Sequence, residues 1–274
     1  MQTQARKADD FRALHARQGA FIIPNPWDVG TARILERLGF EALATTSAGF
    51  AFSSGVPDNQ VGRDRMLAHV AELCAATGIP VSADLENGYG DDAETVAETI
   101  RRAAAAGVVG GSIEDSVNRP GEALYELAHA VDRIRAAAEA ARALAFPFTL
   151  TARCENFLLG IADLKDTIRR LQAYQEAGAD VLYAPCITTR AEITAVVQAV
   201  DRPVNFLMGT QPQRFSLAEL AGMGVRRISV GSALSTAALG AFLRGAREMK
   251  DQGSFNYAKD SAGFGEVTEL LKAR

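Results

Sequence analysis

The chain is 274 residues long, 48% hydrophobic and 23% charged, with a formal net charge of −4; this is the make-up of a soluble globular protein with length for one large domain or two small ones. No apolar run nears the ~20 residues of a membrane span, the polar opening MQTQARKADDFRALHARQG lacks a signal-peptide core, and basic residues are scattered rather than gathered into a nucleic-acid footprint. A cytoplasmic protein with no nucleic-acid or membrane partner is expected, and Cys74, Cys154 and Cys186 show neither metal-ligand spacing nor a disulfide framework.

After an N-terminal helix, one phrase recurs along the chain: apolar residues at helical spacing, a glycine suited to the left-handed cap, then a short apolar run. LERLGFEALAT turns at Gly39, AELCAATGIPVSAD at Gly78, RRAAAAGVVGGSIED at Gly107, QAYQEAGADVLYAP at Gly178 and LAELAGMGVRRISVG at Gly224. AVDRPVNFLMG uses Asp201-Arg202-Pro203 as its breaker. Strands are predicted over 20–24, 41–46, 80–84, 109–114, 147–153, 180–184, 203–207 and 226–230, with helices filling the gaps. Apolar runs without polar alternation suit strands buried on both faces of a parallel sheet. Eight βα units in about 230 residues favour a (β/α)8 TIM barrel over a doubly wound sheet. No GxGxxG follows the first strand and there is no P-loop lysine. The expectation is a single barrel domain over 1–274, with residues 251–274 as a C-terminal extension ending in a short helix.

Chemistry in such a barrel sits at the C-terminal strand ends. There the sequence offers Asp84 and Glu86 on the third strand, Glu114 on the fourth, Arg153 on the fifth and Asn205 on the seventh. Were the backbone to stay extended, Asp84 and Glu86 would point the same way, and with Glu114 they would crowd one rim. Like charges so close hold their protons unless a cation sits among them. Oxygen ligands without His or Cys suit a hard ion, Mg²⁺ or Mn²⁺; the bland alternative is that the acids cap helices or bind arginines. Arg153 could hold a carboxylate or phosphonate, or simply pair with Glu155 or Glu114. The small residues Ser47, Ala48 and Gly49 could bring backbone N–H groups to an anionic oxygen. His15, His69 and His129 lie in helical stretches, and Ser232 reads as a helix cap or the start of a phosphate site. Phe50, Phe52, Tyr89, Phe157 and Tyr183 are candidates for an apolar substrate wall or plain core.

The segments TTSAGFAFSSGVPD, VSADLENGYGD, GGSIEDS and TARCENF, in this order, resemble the isocitrate lyase/phosphoenolpyruvate mutase superfamily over roughly residues 20–245. The resemblance implies a (β/α)8 barrel that binds Mg²⁺ and a 2-oxo acid or its enolate and works on a C–C or P–C bond beside it. It also implies a homo-oligomer, dimer or tetramer, in many members with the last helix swapped between subunits. By motif, Asp84, Glu86 and Glu114 match the metal-site acids, Asp58 the acid of the substrate loop, Arg153 the substrate-holding arginine, and Ser47, Ala48 and Gly49 the carboxylate-binding backbone. One departure stands out: the lyases carry a Lys-Lys/Arg-Cys-Gly-His stretch after the x-E-D strand end, whose Cys is an acid/base, whereas this chain reads Glu114-Asp115-Ser116-Val117-Asn118-Arg119-Pro120-Gly121-Glu122. The lysine-bearing loop of the mutases is missing too. A Mg²⁺-dependent lyase of a small 2-oxo acid or dicarboxylate is therefore expected, with Asp58, Glu122 or a metal-bound water as the base where one is needed. The alternatives are a P–C enzyme acting on phosphonopyruvate-like substrates and a non-catalytic 2-oxo acid binder.

Overall fold

The computed structural model describes residues 2–119, 121–210 and 215–272. In chain order the elements are α1 Gln4–Ala16, β1 Phe21–Ile23, α2 Val29–Arg37, β2 Leu43–Ala44, α3 Ser47–Ser53, α4 Arg63–Ala76, β3 Val81–Asp84, α5 Ala93–Ala105 and β4 Gly110–Glu114. A hairpin of β5 Ser116–Arg119 and β6 Glu122–Leu124 follows. Then come α6 Leu127–Arg142, β7 Thr149–Arg153, α7 Leu164–Ala177, β8 Val181–Tyr183, α8 Arg190–Ala199, β9 Val204–Leu207, α9 Leu217–Gly222, β10 Arg227–Ser229, α10 Ala233–Gln252 and α11 Phe264–Leu271. Eight strands pair in parallel in the order β1-β10-β9-β8-β7-β4-β3-β2. Between the two ends of that order, Ala44 N–H donates to the Pro24 carbonyl at 3.1 Å, so the sheet is a nearly closed TIM-like barrel. All eight predicted strands exist, each trimmed by one to four residues.

Local chemistry explains the alternation. Asp28, Asp92, Asp163, Thr189 and Ser216 each cap a helix by accepting from a backbone N–H three residues on. Gly178 closes α7 with φ +110°, a conformation glycine adopts without strain. Gly78 departs from that pattern: α4 stops at an extended Thr77, whose hydroxyl returns to the Leu73 carbonyl, and Gly78 N–H donates to Glu36 at 3.0 Å. Helix α1 closes the N-terminal end of the barrel. Its Phe11 is fully buried with Phe21, Ile23 and Val109, a burial contributing on the order of 2–3 kcal/mol. The fit needs Gly110, where a Cβ would come within 2.9 Å of the Phe11 ring.

Three expectations are corrected. The strands are not uniformly apolar: Thr149-Leu150-Thr151-Ala152-Arg153 and Arg227-Ile228-Ser229 alternate, because the barrel interior is polar while the outer face packs on helices. The gap after β4 is not filled by a helix alone, since β5 and β6 form an antiparallel hairpin first. The helix of the C-terminal extension begins at Phe264 rather than near 267, and it packs on α2 of its own chain. Among the described residues no helix is long and apolar enough to cross a membrane.

Candidate active site

The C-terminal ends of β3, β4, β7, β8 and β9 deliver Asp84, Glu114, Arg153, Tyr183 and Leu207 to one cavity of about 360 Å³. Asp58, Asn59, Ser47, Ala48, Asn118, Glu155, Leu158, Leu159, Pro185 and Cys186 complete most of its wall. Arg153 sits at the centre. Its Nη1 lies 3.1 Å from Asp84 Oδ1 and 3.4 Å from Glu114 Oε2, and its Nε donates to Glu155 Oε1 at 2.9 Å. The ion-pair reading offered for the arginine is observed, with both Glu114 and Glu155, and the side chain faces the mouth. Burial opposes its charge, but the three carboxylates outweigh that and hold the guanidinium protonated.

The acids outnumber this cation. Asp84 Oδ2 is fixed by the Ser47 N–H at 3.1 Å and hydroxyl at 2.8 Å, and Glu114 Oε1 accepts from Asn118 Nδ2 at 2.9 Å. Glu86 departs from the expected geometry. The strand stops at Asp84, and Glu86 adopts φ +49°, so the two side chains do not share a face by strand alternation. Glu86 instead lines a neighbouring cavity of about 510 Å³ with Tyr89, Arg63 and Arg119, from which Asn118 separates the mouth. Its Oε1 is buried without a hydrogen-bond partner. Burial, then Asp84, Glu114 and Asp58, push its carboxyl up to about 8. Glu155 is likewise pushed up to about 8 by burial and Glu114, against the pull of Arg153. Burial also raises Glu114, and loss of hydration followed by Asp84 raises Asp58, which stands at the exposed rim. Among the described residues no three His, Cys, Asp or Glu side chains come together closely enough to clasp a bare ion.

Backbone strain gathers here. The non-glycine residues with positive φ among the described residues are Asn59, Glu86, Tyr89, Asn118 and Cys186, and every one lines one of these two cavities. Such conformations cost of order 1–3 kcal/mol each and persist where surrounding structure imposes them. The imposing structure is visible: Arg133, 1% exposed, donates to the carbonyls of Asn87, Gly90 and Asp91, and Thr99 donates to the Gly88 carbonyl at 2.8 Å. Asp91 in turn accepts from Arg119 of the hairpin at 2.5 Å and from Tyr125 at 2.6 Å.

The other sequence candidates fall as follows. Ala48 lines the mouth, but Gly49 is buried with its N–H on Thr46 and a Cβ there would meet Thr46 and Trp27. Asn205 lies below the mouth, in an inner chamber of about 50 Å³. The backbone of Glu122 pairs with Arg119, while its side chain lies outside the described residues. Of the proposed aromatic wall only Tyr183 reaches the mouth; Phe50 stacks on His69 with ring centres 3.7 Å apart. The apolar wall is made by Leu158, Leu159 and Leu207. For Leu158 and Leu159 the run FLLG, apolar in a turn rather than a helix or strand, was the available signal. Ser232 takes the cap position of α10 without a side-chain cap bond. Cys154 is buried as a core residue, and His15, His69 and His129 sit on α1, α4 and α6.

Three comparisons bear on this geometry. The family model for phosphoenolpyruvate phosphomutase matches residues 11–250. The 2-methylisocitrate lyase of Escherichia coli is 31% identical over 202 residues, 71% of this chain and 67% of that protein. Among solved structures, a Burkholderia cenocepacia protein assigned provisionally as a lyase/mutase is 61% identical, with TM-score 0.95, covering 98% of this chain and 97% of that one. A phosphonopyruvate hydrolase solved with oxalate and Mg²⁺ is 25% identical, with TM-score 0.84 over 96% of this chain and 94% of that one.

Proposed function

The chain belongs to the phosphoenolpyruvate mutase/isocitrate lyase superfamily, and from that membership we propose that it is a Mg²⁺-dependent lyase, with Mn²⁺ able to substitute. It breaks a carbon–carbon bond of a small 2-oxo acid or dicarboxylate through an enolate. The observation that supports this reading is the charge imbalance at the mouth: Asp58, Asp84, Glu114 and Glu155 share one arginine, and in the adjoining cavity one buried carboxylate oxygen of Glu86 has no partner. An oxygen-only donor set with excess negative charge fits a hard divalent ion that keeps several waters. Asp84, Glu86 and Glu114 are the residues that would hold it. When bound, the ion supplies a Lewis acid that polarises the substrate carbonyl and stabilises negative charge on its oxygen.

The remaining work falls to the chain. Arg153 uses Nε and Nη1 for its three acids, which leaves Nη2 to take a substrate carboxylate with the fork already oriented. The backbone over Ser47, Ala48 and Gly49 starts α3 beside that position. Leu158, Leu159 and Leu207 give one side of the mouth an apolar wall, which would strengthen the charge contacts once a ligand covers it. Decarboxylation needs no base, since CO₂ leaves with no proton to remove; aldol-type cleavage needs one, and Asp58 at the rim or Glu122 on the hairpin would serve. Exposed Phe242, Phe255 and Phe264 on and after α10 support a homo-oligomer, a dimer or tetramer.

A second reading is P–C chemistry on a phosphonopyruvate-like acid, favoured by the similarity to a phosphonopyruvate hydrolase. Against it, the hairpin over Ser116–Leu124 carries no lysine. The assay that separates the two follows CO₂, pyruvate and phosphate release from oxaloacetate, alkylmalates and phosphonopyruvate, with Mg²⁺ and with chelator. Mg²⁺-dependent C–C cleavage supports the first reading; phosphate release alone transfers the site to the second; no turnover while Mg²⁺ binds defeats both.

A further inference from the structure

Below Arg153 the barrel holds a second arginine with no acid beside it. Arg227 is the first residue of β10, is 5% exposed, and forms no ion pair among the described residues. Its Nη1 is buried without a hydrogen-bond partner. Burial draws the guanidinium down to about 10, with Arg153 adding to the fall. A buried unpaired cation costs stability, so its one strong bond is informative. Nε donates to Asn205 Oδ1 at 2.8 Å. A guanidinium only donates, so Asn205 must turn its carbonyl toward Arg227 and its amide toward Ser229, where Nδ2 donates to Oγ at 2.9 Å. Ser229, having accepted from Asn205, keeps its own proton to give, and it lines the inner chamber together with Tyr183. A Tyr183 oxygen that accepts this proton from below has its own O–H to give elsewhere. That elsewhere is the mouth, because Tyr183 lines both the inner chamber and the mouth cavity beside Asp84 and Arg153. The Arg153 guanidinium stands 5.1 Å from its ring centre.

We propose that Tyr183 is the proton donor of the reaction, a catalytic residue, with Arg227, Asn205 and Ser229 as positioning residues that fix the direction of its hydroxyl. The inference rests on the lyase reading and supplies the acid that the missing cysteine loop leaves open. Breaking the bond at C3 leaves its electron pair in the C2=C3 enolate. The Tyr183 O–H bond then breaks, its proton forms the new C3–H bond with that pair, and the C2 oxygen returns to a carbonyl. Tyr183 is left as a phenolate beside Arg153, and water entering the mouth reprotonates it.

The test is exchange of the methyl protons of pyruvate for deuterium in D₂O with Mg²⁺, followed by NMR, which needs proton transfer at C3 and no bond cleavage. Tyr183→Phe removes one hydroxyl and keeps the ring, and oxalate binding by calorimetry checks that its site is intact. Exchange is expected to fall by about 10²-fold or more in Tyr183→Phe, with oxalate affinity within about threefold. Arg227→Met is expected to lower kcat about tenfold at unchanged KM, as acid catalysis through a misdirected donor requires, and Arg227→Lys, still a donor, to recover part of it. Exchange in Tyr183→Phe within about threefold of wild type, or loss in Glu155→Gln with Tyr183→Phe intact, overturns the proposal alone, since acid catalysis is worth far more than that. A wild-type protein that binds oxalate yet neither exchanges nor cleaves overturns the lyase reading and this inference together.

Discussion

Glu86 gives a stability signature that needs no substrate. Its carboxyl is held at about 8 in the folded, metal-free protein by burial and by Asp84, Glu114 and Asp58, against an ordinary 4.5. A raised acid binds more protons folded than unfolded, so its stabilising contribution is complete below the unfolded value and is lost as pH rises toward the folded one. Between pH 5 and pH 8 the linkage integral over this shift is about 3–4 kcal/mol, at 1.36 kcal/mol per unit. Glu86 is only 6% exposed, so solvent screening removes little of it. Glu86→Gln replaces the group by a neutral amide of the same shape and removes the titration. In chelator, the variant is expected to melt within about 2 °C of wild type at pH 5 and roughly 10 °C above it at pH 8, using ~2–4 °C per kcal/mol for a chain of this size. Thermal unfolding of both proteins across that range is the assay. Adding Mg²⁺ at pH 8 should close most of that gap, since saturation at 100 times Kd stabilises by about 2.7 kcal/mol and only wild type presents the full acid set. Parallel melting curves across pH would refute the reasoning, because they would mean that Glu86 is already ionised and satisfied.

Three further outcomes follow from the same geometry. Arg153→Lys cannot keep bonds to Asp84, Glu114 and Glu155 at once; unfolding should show a loss of about 2–4 kcal/mol from the stranded buried acids, and turnover should fall at least about 10²-fold with the loss of the oriented fork. Asp91→Asn weakens the contacts to Arg119 and Tyr125 that hold the hairpin against the glycine loop. Limited digestion with a glutamate-specific protease should then cut after Glu122 several-fold faster at unchanged melting temperature, since exposed pairs add little to global stability. Tyr174→Phe removes the hydroxyl that donates to Asp115 Oδ2 at 2.5 Å beneath the Glu155 turn. A buried carboxylate short of one donor costs on the order of 1–3 kcal/mol, read as a drop of several degrees in melting temperature.

The barrel was legible because each strand announces itself twice, by an apolar run and by the helix stop before it. Gly107, Gly178 and Gly224 take the left-handed conformation that the phrase implied. What the runs concealed was direction. Thr151, Asn205, Arg227 and Ser229 lie inside stretches read as apolar, and their inward orientation follows only from barrel closure. The acids proposed to hold the metal and Arg153 could be named from strand ends, but not the relation among them. That Asp84 and Glu114 share Arg153 while Glu86 turns into a second cavity depends on a single backbone reversal at φ +49°, which no local pattern around Asn87-Gly88 specifies. Asp58 was reachable only by resemblance, since its loop carries no periodicity and its nearness to Asp84 is a long-range contact.

The polar interior connects these observations. A TIM barrel is ordinarily filled by layers of branched aliphatic side chains, whereas Ser82, Ser112, Asn205, Arg227 and Ser229 line the space under Asp84 and Arg153 here. Such a filling lowers stability unless its groups satisfy one another, and the bonds from Arg227 to Asn205 and from Asn205 to Ser229 do so in one direction only. A chain of donors that starts on a cation and ends below the substrate mouth presents a hydroxyl proton, not a lone pair, to whatever binds there. The acids of the mouth repel electrons while Arg227 below attracts them. The proposed intermediate, negative at oxygen and due a proton at carbon, is one that such a gradient would stabilise, and on that proposal the floor of the barrel would belong to the chemistry as much as its rim.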